Sequence, residues 1–459
     1  MHKKIFLVFI IVLMISSPIY ATNWKPINYS NPNLIKESGL TIEEFNGLSQ
    51  TEWLELFNNK EMVNFAFSAT NSEGEDVTND INPDLSIIIN GNNDSKSVSF
   101  AKITIPADQP PSGEKIDSLN DKDEDGYLDI WYLEQLAYIG KNSTTLSEKY
   151  ELMRDLDFKN PSHYLHPEES LSLWTNNTGW TPIGTTSSRF RGELDGNKFK
   201  IINLYINNPN VNYQGLFGSI HNSVIKNLDI SNINVVGHDM VGGLTGHSYD
   251  YGKINNVSVD GSVSGNKAVG GVIGMLKRRG DSQVSNSNFT GSVVGNNETG
   301  GFIGYLFNSH HQSNISIKNS YVLGEVSGGY KTGGFVGFAK ETSLENCYTK
   351  TIVEGNDWAG GFLGKSEGKA TGRVHINNSY SSSEVIGNTN IGVFTSKNSK
   401  YIYPNNSFWE EEISENSISS IGTSLTTSEM KTAQTFIDAG WDTDIWELKD
   451  GQYPKLKWE

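Results

Sequence analysis

From residue 215 onward the chain alternates apolar runs of three to six residues, drawn from Val, Ile, Phe, Tyr, Ser and Thr, with breaks at Gly and Asn. No stretch between those breaks shows helical spacing, so the runs predict strands and the breaks predict turns. A Gly-x-x-Gly unit recurs as Gly215-Leu-Phe-Gly218, Gly243-Leu-Thr-Gly246, Gly271-Val-Ile-Gly274, Gly301-Phe-Ile-Gly304, Gly334-Phe-Val-Gly337, Gly361-Phe-Leu-Gly364 and, degraded, Gly392-Val-Phe-Thr395. The spacings are 28, 28, 30, 33, 27 and 31 residues. A second register keeps the same beat: Asn227, Asn256, Asn286, Asn319, Asn346, Asn378 and Asn406 recur with it, and Asn203 extends the series upstream. A period of this size marks stacked supersecondary units.

Strands this short find no partner inside their own repeat, so each pairs with its equivalent in the next coil, one step of ~4.8 Å along an axis. The predicted fold is all-β: a parallel β-helix (β-solenoid) with helical and strand caps and a small separate N-terminal domain. Equivalent residues then stack, and Val263, Val293, Val326, Val353 and Val385 are expected in one internal file. The glycines are read as corners that need φ > 0 or close backbone approach. The asparagines are read as buried side chains that bond the coils above and below.

Open solenoid ends would polymerise through their strand edges, so both need covers. Residues 133–158 predict a helix and then the first strand of an N-terminal cap. Residues 426–439 predict a helix, with Trp441, Ile445, Trp446, Tyr453, Pro454 and Leu456 closing the last coil. The division that follows is a signal peptide at 1–21, a small domain of unknown type at 22–105, a linker at 106–122, a calcium-type loop and cap at 123–173, the β-helix at 174–409 and a C-terminal cap at 410–459. Within 22–105, the capping box Thr41-Ile-Glu-Glu44 predicts a helix, and strands are predicted near 62–69, 85–90 and 98–105.

Lys3 and Lys4 precede eleven unbroken apolar residues, Ile5 to Ile15, then Ser16, Ser17, Pro18 and the small Ala21. That is the layout of a cleaved export signal, and eleven residues fall short of the ~20 that cross a bilayer. No second long apolar segment follows, so no transmembrane anchor is expected and the predicted location is secreted or cell-surface. Cys347 is the only cysteine and lies far from the signal, which excludes an intrachain disulfide and an acylated lipoprotein cysteine. A formal net charge of −17 disfavours nucleic acid as a partner.

The repeats resemble the GLUG-motif family of bacterial surface and secreted proteins, whose unit runs Gly-Gly-Leu-Val-Gly, then Ile-x-Asn-Cys/Ser-Tyr, then Gly-x-Val-x-Gly. The matching residues are Gly333-Gly-Phe-Val-Gly337, Leu344-Glu-Asn-Cys-Tyr348 and, one coil earlier, Gly324-Glu-Val-Ser-Gly328. Upstream, Trp180-Thr-Pro-Ile-Gly184 and Phe190-Arg-Gly-Glu-Leu-Asp-Gly-Asn197 resemble the family's leading coils, so the resemblance spans residues 123–459. The chain departs from the pattern at Gly392-Val-Phe-Thr395 and at Thr351, where the first Gly of Gly-x-Val-x-Gly is missing, and irregular coils are expected there. The resemblance implies a β-solenoid surface protein; some members are adhesins, and the same repeats occur in bacterial immunoglobulin A peptidases.

Asp121-Lys-Asp123-Glu-Asp125-Gly126-Tyr-Leu-Asp129 sets carboxylates at alternate positions around a glycine, as a tight loop does when it gathers oxygen ligands for a hard cation. Asp121, Asp123, Asp125, Tyr127 and Asp129 are the candidate ligands of a structural calcium. Tyr132 stands where a full EF-hand carries its bidentate Glu, and Glu134 is one source for the missing ligand. No His-Glu-x-x-His occurs among the nine histidines, so metallopeptidase activity is not expected, nor is serine-hydrolase or phosphate-loop chemistry.

Polysaccharide lyases and hydrolases need paired carboxylates, or calcium with a basic residue, on one outer face. The nearest sets are His238 with Asp239, and Lys277, Arg278 and Arg279; these read as solvated turns, and His310-His311 as a loop pair. If the residue after each Asn points inward, as Leu228, Val257 and Cys347 suggest, the next points outward, and Tyr321, Tyr348, Tyr380 and Phe408 form an aromatic file. Such a file is either a glycan-contacting strip or a stack under a covering loop. The function expected is a secreted or cell-surface binding or adhesion protein, with glycans or host and cell-surface proteins as partners. The alternatives are a secreted polysaccharide lyase or glycoside hydrolase, and a structural subunit of a surface assembly.

Overall fold

The computed structural model describes residues 115–116, 119–121, 124–278, 281–308, 315–367, 373–397, 399–413 and 421–459. The signal peptide expected at 1–21, the domain expected at 22–105 with its capping box, and most of the expected linker lie outside the described residues, as do Asp123, Arg279, His310 and His311.

Alternation in each strand separates a wet side from a dry one. In Lys253–Ser264, Ile254, Val257, Val259 and Val263 are buried while Lys253 and Asn255 face water. Both neighbouring coils pair with this strand in parallel, Val263 lying against Val235 on one side and Val293 on the other. The file continues in register through Val326, Val353 and Val385, each at most 4% exposed. The chain is therefore a parallel β-solenoid with continuous internal columns. The apolar residue of the Gly-x-x-Gly units builds a second column, in which Phe302, Phe335, Phe362 and Phe394 stack at ring separations of 4.9, 5.1 and 5.2 Å. Those separations track the rung spacing of ~4.8 Å.

Two parallel sheets make the walls. One has six strands: Phe217–His221, Thr245–Tyr249, Ile273–Arg278, Ile303–Asn308, Val336–Lys340 and Leu363–Ser366. The remaining solenoid strands join in a second, larger sheet. The irregular copies hold their places. Gly360 bridges to Gly392 and Leu363 to Thr395, and Thr351 pairs in register with Gly324.

Corners and close approaches divide between Asn and Gly differently from expectation. One corner of each coil takes the left-handed conformation on Asn, with φ 51° at Asn227, 56° at Asn256, 48° at Asn319 and 53° at Asn346, and a second takes it on other residues, Ala268 at 54° and Lys331 at 60° among them. Asn tolerates this left-handed region because its short polar side chain bonds locally. The exposure of these asparagines varies, from Asn256 facing water to Asn346 at 3% under the C-terminal segment, and their amides form a ladder, Asn256 donating to Asn227, Asn319 to Asn286 and Asn346 to Asn319 at 3.0–3.1 Å. The motif glycines serve close approach. A Cβ on Gly334 would lie 2.0 Å from the Gly361 carbonyl oxygen.

The residue after each Asn points inward, and in five coils it is Ser287, Ser320, Cys347, Ser379 or Ser407. Each side chain donates to the carbonyl two residues earlier, as Ser320 does to Lys318 at 2.7 Å and Cys347 to Glu345 at 3.3 Å. The serine oxygens also accept an N–H from the adjoining coil, Ser379 from Cys347 at 3.1 Å. Cys347 is thus one rung of a buried hydroxyl file, and burial pushes its thiol up to about 12, well into the unreactive form.

At the N-terminal end the ladder starts earlier than expected. Leu128–Ile130 already pairs with Lys149–Leu152, and that strand with Glu193–Asp195. Helix Leu133–Tyr138 follows the first rung. An unforeseen helix, Pro167–Thr175, packs Trp174 against Phe158, Tyr164 and Trp180. At the other end two short helices, Thr427–Met430 and Ala433–Asp438, replace the single helix expected at 426–439. The tail beyond them is a strap on the flank instead of a plug on the last coil. Its Trp441 donates to the Asn406 carbonyl, Trp446 to the Asn346 side chain and Trp458 to the Asn319 carbonyl, so the segment runs back across the coils. Among the described residues no helix is long and apolar enough to cross a membrane.

Candidate functional site

The expected aromatic file exists, and the strap covers it. Tyr321, Tyr348 and Tyr380 stack at 5.1 and 4.9 Å, and Phe408 continues the column beyond Tyr380. Tyr348 is 2% exposed, Tyr380 0% and Phe408 8%, because Trp441, Trp446 and Phe436 lie over them. The Tyr348 hydroxyl donates to Glu459 at 3.0 Å and that of Tyr380 to the Pro454 carbonyl at 2.8 Å. Burial raises the pKa of both phenols. With the strap in place Tyr348, Tyr380 and Phe408 are packing, while Tyr321, against Trp458 at 5.5 Å, stays half-buried at the edge of the cover.

In the acidic loop, Asp121 accepts the N–H groups of Asp125 and Gly126 at 3.1 and 2.9 Å, and Asp125 accepts that of Tyr127 at 2.9 Å. Gly126 takes φ +94°, which the turn requires. Asp129 is 2% exposed and stacks in register on Glu151, then Asp195. The donor set is all oxygen, which suits a hard cation. Among the described residues no group of three His, Cys, Asp or Glu converges as a metal site, and Asp123 lies outside them. Glu134 is not the missing ligand, because its two oxygens accept the Leu165 and His166 N–H groups at 2.9 and 3.0 Å.

His238 lies 3.2 Å from Asp239 and 3.1 Å from Asn212 in an open turn. A shallow cleft of about 490 Å³ runs over Gly261, Gly291 and Gly324, and its lining holds one carboxylate, Glu325, where a hydrolase would need two. One pattern escaped the sequence reading: Gly364-Lys-Ser366-Glu-Gly368 has the spacing of a serine-hydrolase elbow and contains Gly-Lys-Ser. It serves neither chemistry. Ser366 is 2% exposed on a solenoid strand, with its hydroxyl given to the Lys400 carbonyl.

The outer side of the six-stranded sheet is different in kind. Register sets His247, Met275, Tyr305, Phe338 and Lys365 in one file, and His221, Tyr249, Lys277, Phe307 and Lys340 in the file beside it. Tyr305 stacks on Phe338 at 4.9 Å and 12°, and Phe307 lies 5.9 Å from Tyr305. Lysines lie over ring faces: Lys331 on Phe338 and Lys340 on Phe307, each at 4.8 Å, and Lys365 on Trp358 at 4.2 Å. Lys331 also pairs with Glu298 at 2.9 Å. Tyr305, Phe307 and Lys340 remain half-buried, so parts of both rings and of the lysine reach water. Burial pushes the Tyr305 phenol up to about 12, which keeps it neutral and a donor.

At one end of this face Arg189 lies over Tyr249 at 4.8 Å, and His247 sits 5.9 Å from Tyr213 and 5.5 Å from Tyr249. Burial, with the nearby Arg189 and Lys277 charges, lowers the His247 imidazole to about 4. The sequence held a signal for the whole face. These residues are the first and third after the second Gly of each Gly-x-x-Gly unit, and alternation sends the intervening one inward.

Fold and site together define a parallel β-solenoid with an aromatic and cationic flank. Known proteins resemble parts of it. Halomucin of Haloquadratum walsbyi is 32% identical over 152 residues, covering 31% of this chain and 2% of that protein. A candidate Gly-rich membrane protein of Evansella cellulosilytica is 36% identical over 136 residues, covering 28% and 14% respectively. An immunoglobulin A1 protease of Streptococcus pneumoniae is 26% identical over 163 residues, covering 35% and 8%. The chain thus spans a small part of the curated relatives it matches. A crystal structure of a candidate immunoglobulin A1 protease from Bacteroides ovatus is 19% identical, covers 72% of this chain and 93% of that one, and superposes with a TM-score of 0.48. No family profile matches the chain.

Proposed function

We propose that this is an exported, surface-associated binding protein that holds glycans on the outer side of its six-stranded sheet without cleaving them. The observation that carries the reading is the pair of adjoining files through Tyr305 and Phe307, the second of which alternates rings with lysines as Tyr249, Lys277, Phe307 and Lys340. Pyranose rings settle on such π faces, and rungs ~4.8 Å apart come close to the repeat of a linked sugar chain. A mucin-named protein and a membrane protein among the relatives support surface association.

The test is a glycan array probed with residues 22–459 and with the Tyr305→Ala/Phe307→Ala double variant, scoring both retention and the release of reducing ends or unsaturated products. Each lost stacking contact is worth about 1 kcal/mol, so retention should fall roughly tenfold or more at unchanged circular dichroism. Undiminished retention by the folded variant, or product release by the parent chain, refutes the reading.

Calcium belongs to the same proposal, as a structural ion in the loop of Asp121, Asp123, Asp125, Tyr127 and Asp129. What supports it is the stack of Asp129, Glu151 and Asp195, since like charges on adjacent rungs repel. Lys226 meets the Asp195 end at 3.2 Å. Calcium titration followed through Trp131 fluorescence should saturate and reverse with chelator; a flat titration ends this part of the proposal.

A further inference from the structure

Buried polar side chains in folded proteins almost always have hydrogen-bond partners, and each orphan costs about 1–3 kcal/mol. At one end of the six-stranded sheet three such groups gather. Ser219 is 0% exposed, and its hydroxyl has no hydrogen-bond partner among the described residues. His247, its neighbour in register on the next coil, is 7% exposed, and neither ring nitrogen has one. Arg189 lies over Tyr249, and its Nε is likewise buried and unpartnered. A serine hydroxyl, an imidazole and a guanidinium are donors that fit a carboxylate, and the Tyr213 and Tyr249 rings on either side of His247 fit the flat body of a sugar.

We propose that Arg189, His247 and Ser219 form a subsite for the carboxylate of an acidic pyranose, at the end of the glycan-binding face. The inference rests on the function proposed above and narrows its ligand to chains carrying uronic-type residues. The charge balance around the imidazole agrees with an anion. Arg189 and Lys277 face it with positive charge, Asp250 opposes them, and His221, Tyr213 and Tyr249 complete the surroundings. In the empty site His247 is neutral above about pH 4. A carboxylate beside it favours the imidazolium, so binding takes up a proton and tightens as pH falls from neutrality toward 5.

The experiment is calorimetry on residues 22–459, with tetragalacturonate and its methyl ester as probes, alongside the NMR resonances of the His247 ring with monomeric glucuronate. The acid should bind at least tenfold tighter than the ester. Arg189→Gln should erase that preference, Arg189→Lys should restore part of it, and glucuronate should move the His247 resonances and raise its titration midpoint. Equal affinity for acid and ester together with an unmoved His247 overturns the subsite, and water alone then satisfies these groups. If that happens while the Tyr305→Ala/Phe307→Ala variant still loses the ester, the glycan face stands without the subsite. If glucuronate moves His247 but neither tetramer depends on Tyr305 and Phe307, the subsite stands and the extended face falls.

Discussion

Replacing Phe335 by Ala tests whether the columns are rigid. The ring is 0% exposed and lies between Phe302 and Phe362, at 4.9 and 5.1 Å and within 9° of parallel to each. Emptying a Phe site in a core costs about 3–5 kcal/mol, less where the surroundings collapse into the void. Collapse is hindered here, because the flanking rings hang from backbones held apart by rung hydrogen bonds such as Phe302 N to Phe335 O at 2.9 Å and Phe335 N to Phe362 O at 2.9 Å. Two stacked pairs also go, each worth about 0.5–1.5 kcal/mol beyond its buried area. The expected loss is therefore at the upper end, about 5 kcal/mol. Val294→Ala on the solvent side, 50% exposed, should stay within about 0.5 kcal/mol. Urea unfolding by far-UV circular dichroism reads both, with amide hydrogen exchange reporting whether the loss is confined to neighbouring coils, as a nearest-neighbour ladder requires. A loss for Phe335→Ala below about 2 kcal/mol at an unchanged m-value would mean that coils close over the gap, which refutes columns held by their rungs.

Two further outcomes follow from the ends and from pH. A chain ending at Ala439 lacks Trp441, Trp446 and Trp458 and bares Tyr348 and Tyr380, so it should bind a hydrophobic dye and self-associate; a monomer without dye binding, by light scattering, refutes the strap. His163 accepts the Asp157 N–H on Nδ1 at 2.7 Å, and burial, with Arg154 nearby, lowers its pKa to about 4. The unfolded chain takes up that proton near pH 6.5, so the stability this histidine contributes is complete above 6.5 and is lost as pH falls toward 4, by about 2 kcal/mol after solvent screening. His163→Gln should flatten that part of a thermal-melt pH profile, and an unchanged profile contradicts the assignment.

The period of the chain was legible because coils stack in one dimension: Val263 and Val293 pair where the spacing put them. Less legible was the division of labour at the corners. Gly and Asn both suit φ > 0, and only the contacts show that Gly334 is needed for the approach of Gly361 while Asn346 turns the chain. The aromatic file was legible along with the possibility of a cover, but the cover comes from Trp446 and Trp458, whose contacts on the coils span 100 and 139 residues of sequence, which no local pattern reveals. The outer face with Tyr305 and Phe307 was readable by the same alternation that found Tyr321. Its residues keep register with the second Gly of each unit and not with the Asn series, and their types vary from coil to coil, His247, Met275 and Tyr305 sharing one file.

The strap has a mechanical consequence. By crossing the windings that carry Asn319, Asn346 and Asn406, it ties turns that would otherwise fray one at a time into a single block. Tension applied through the tail is then borne first by three indole contacts in shear, and the turns beneath begin to unwind only after those have given way.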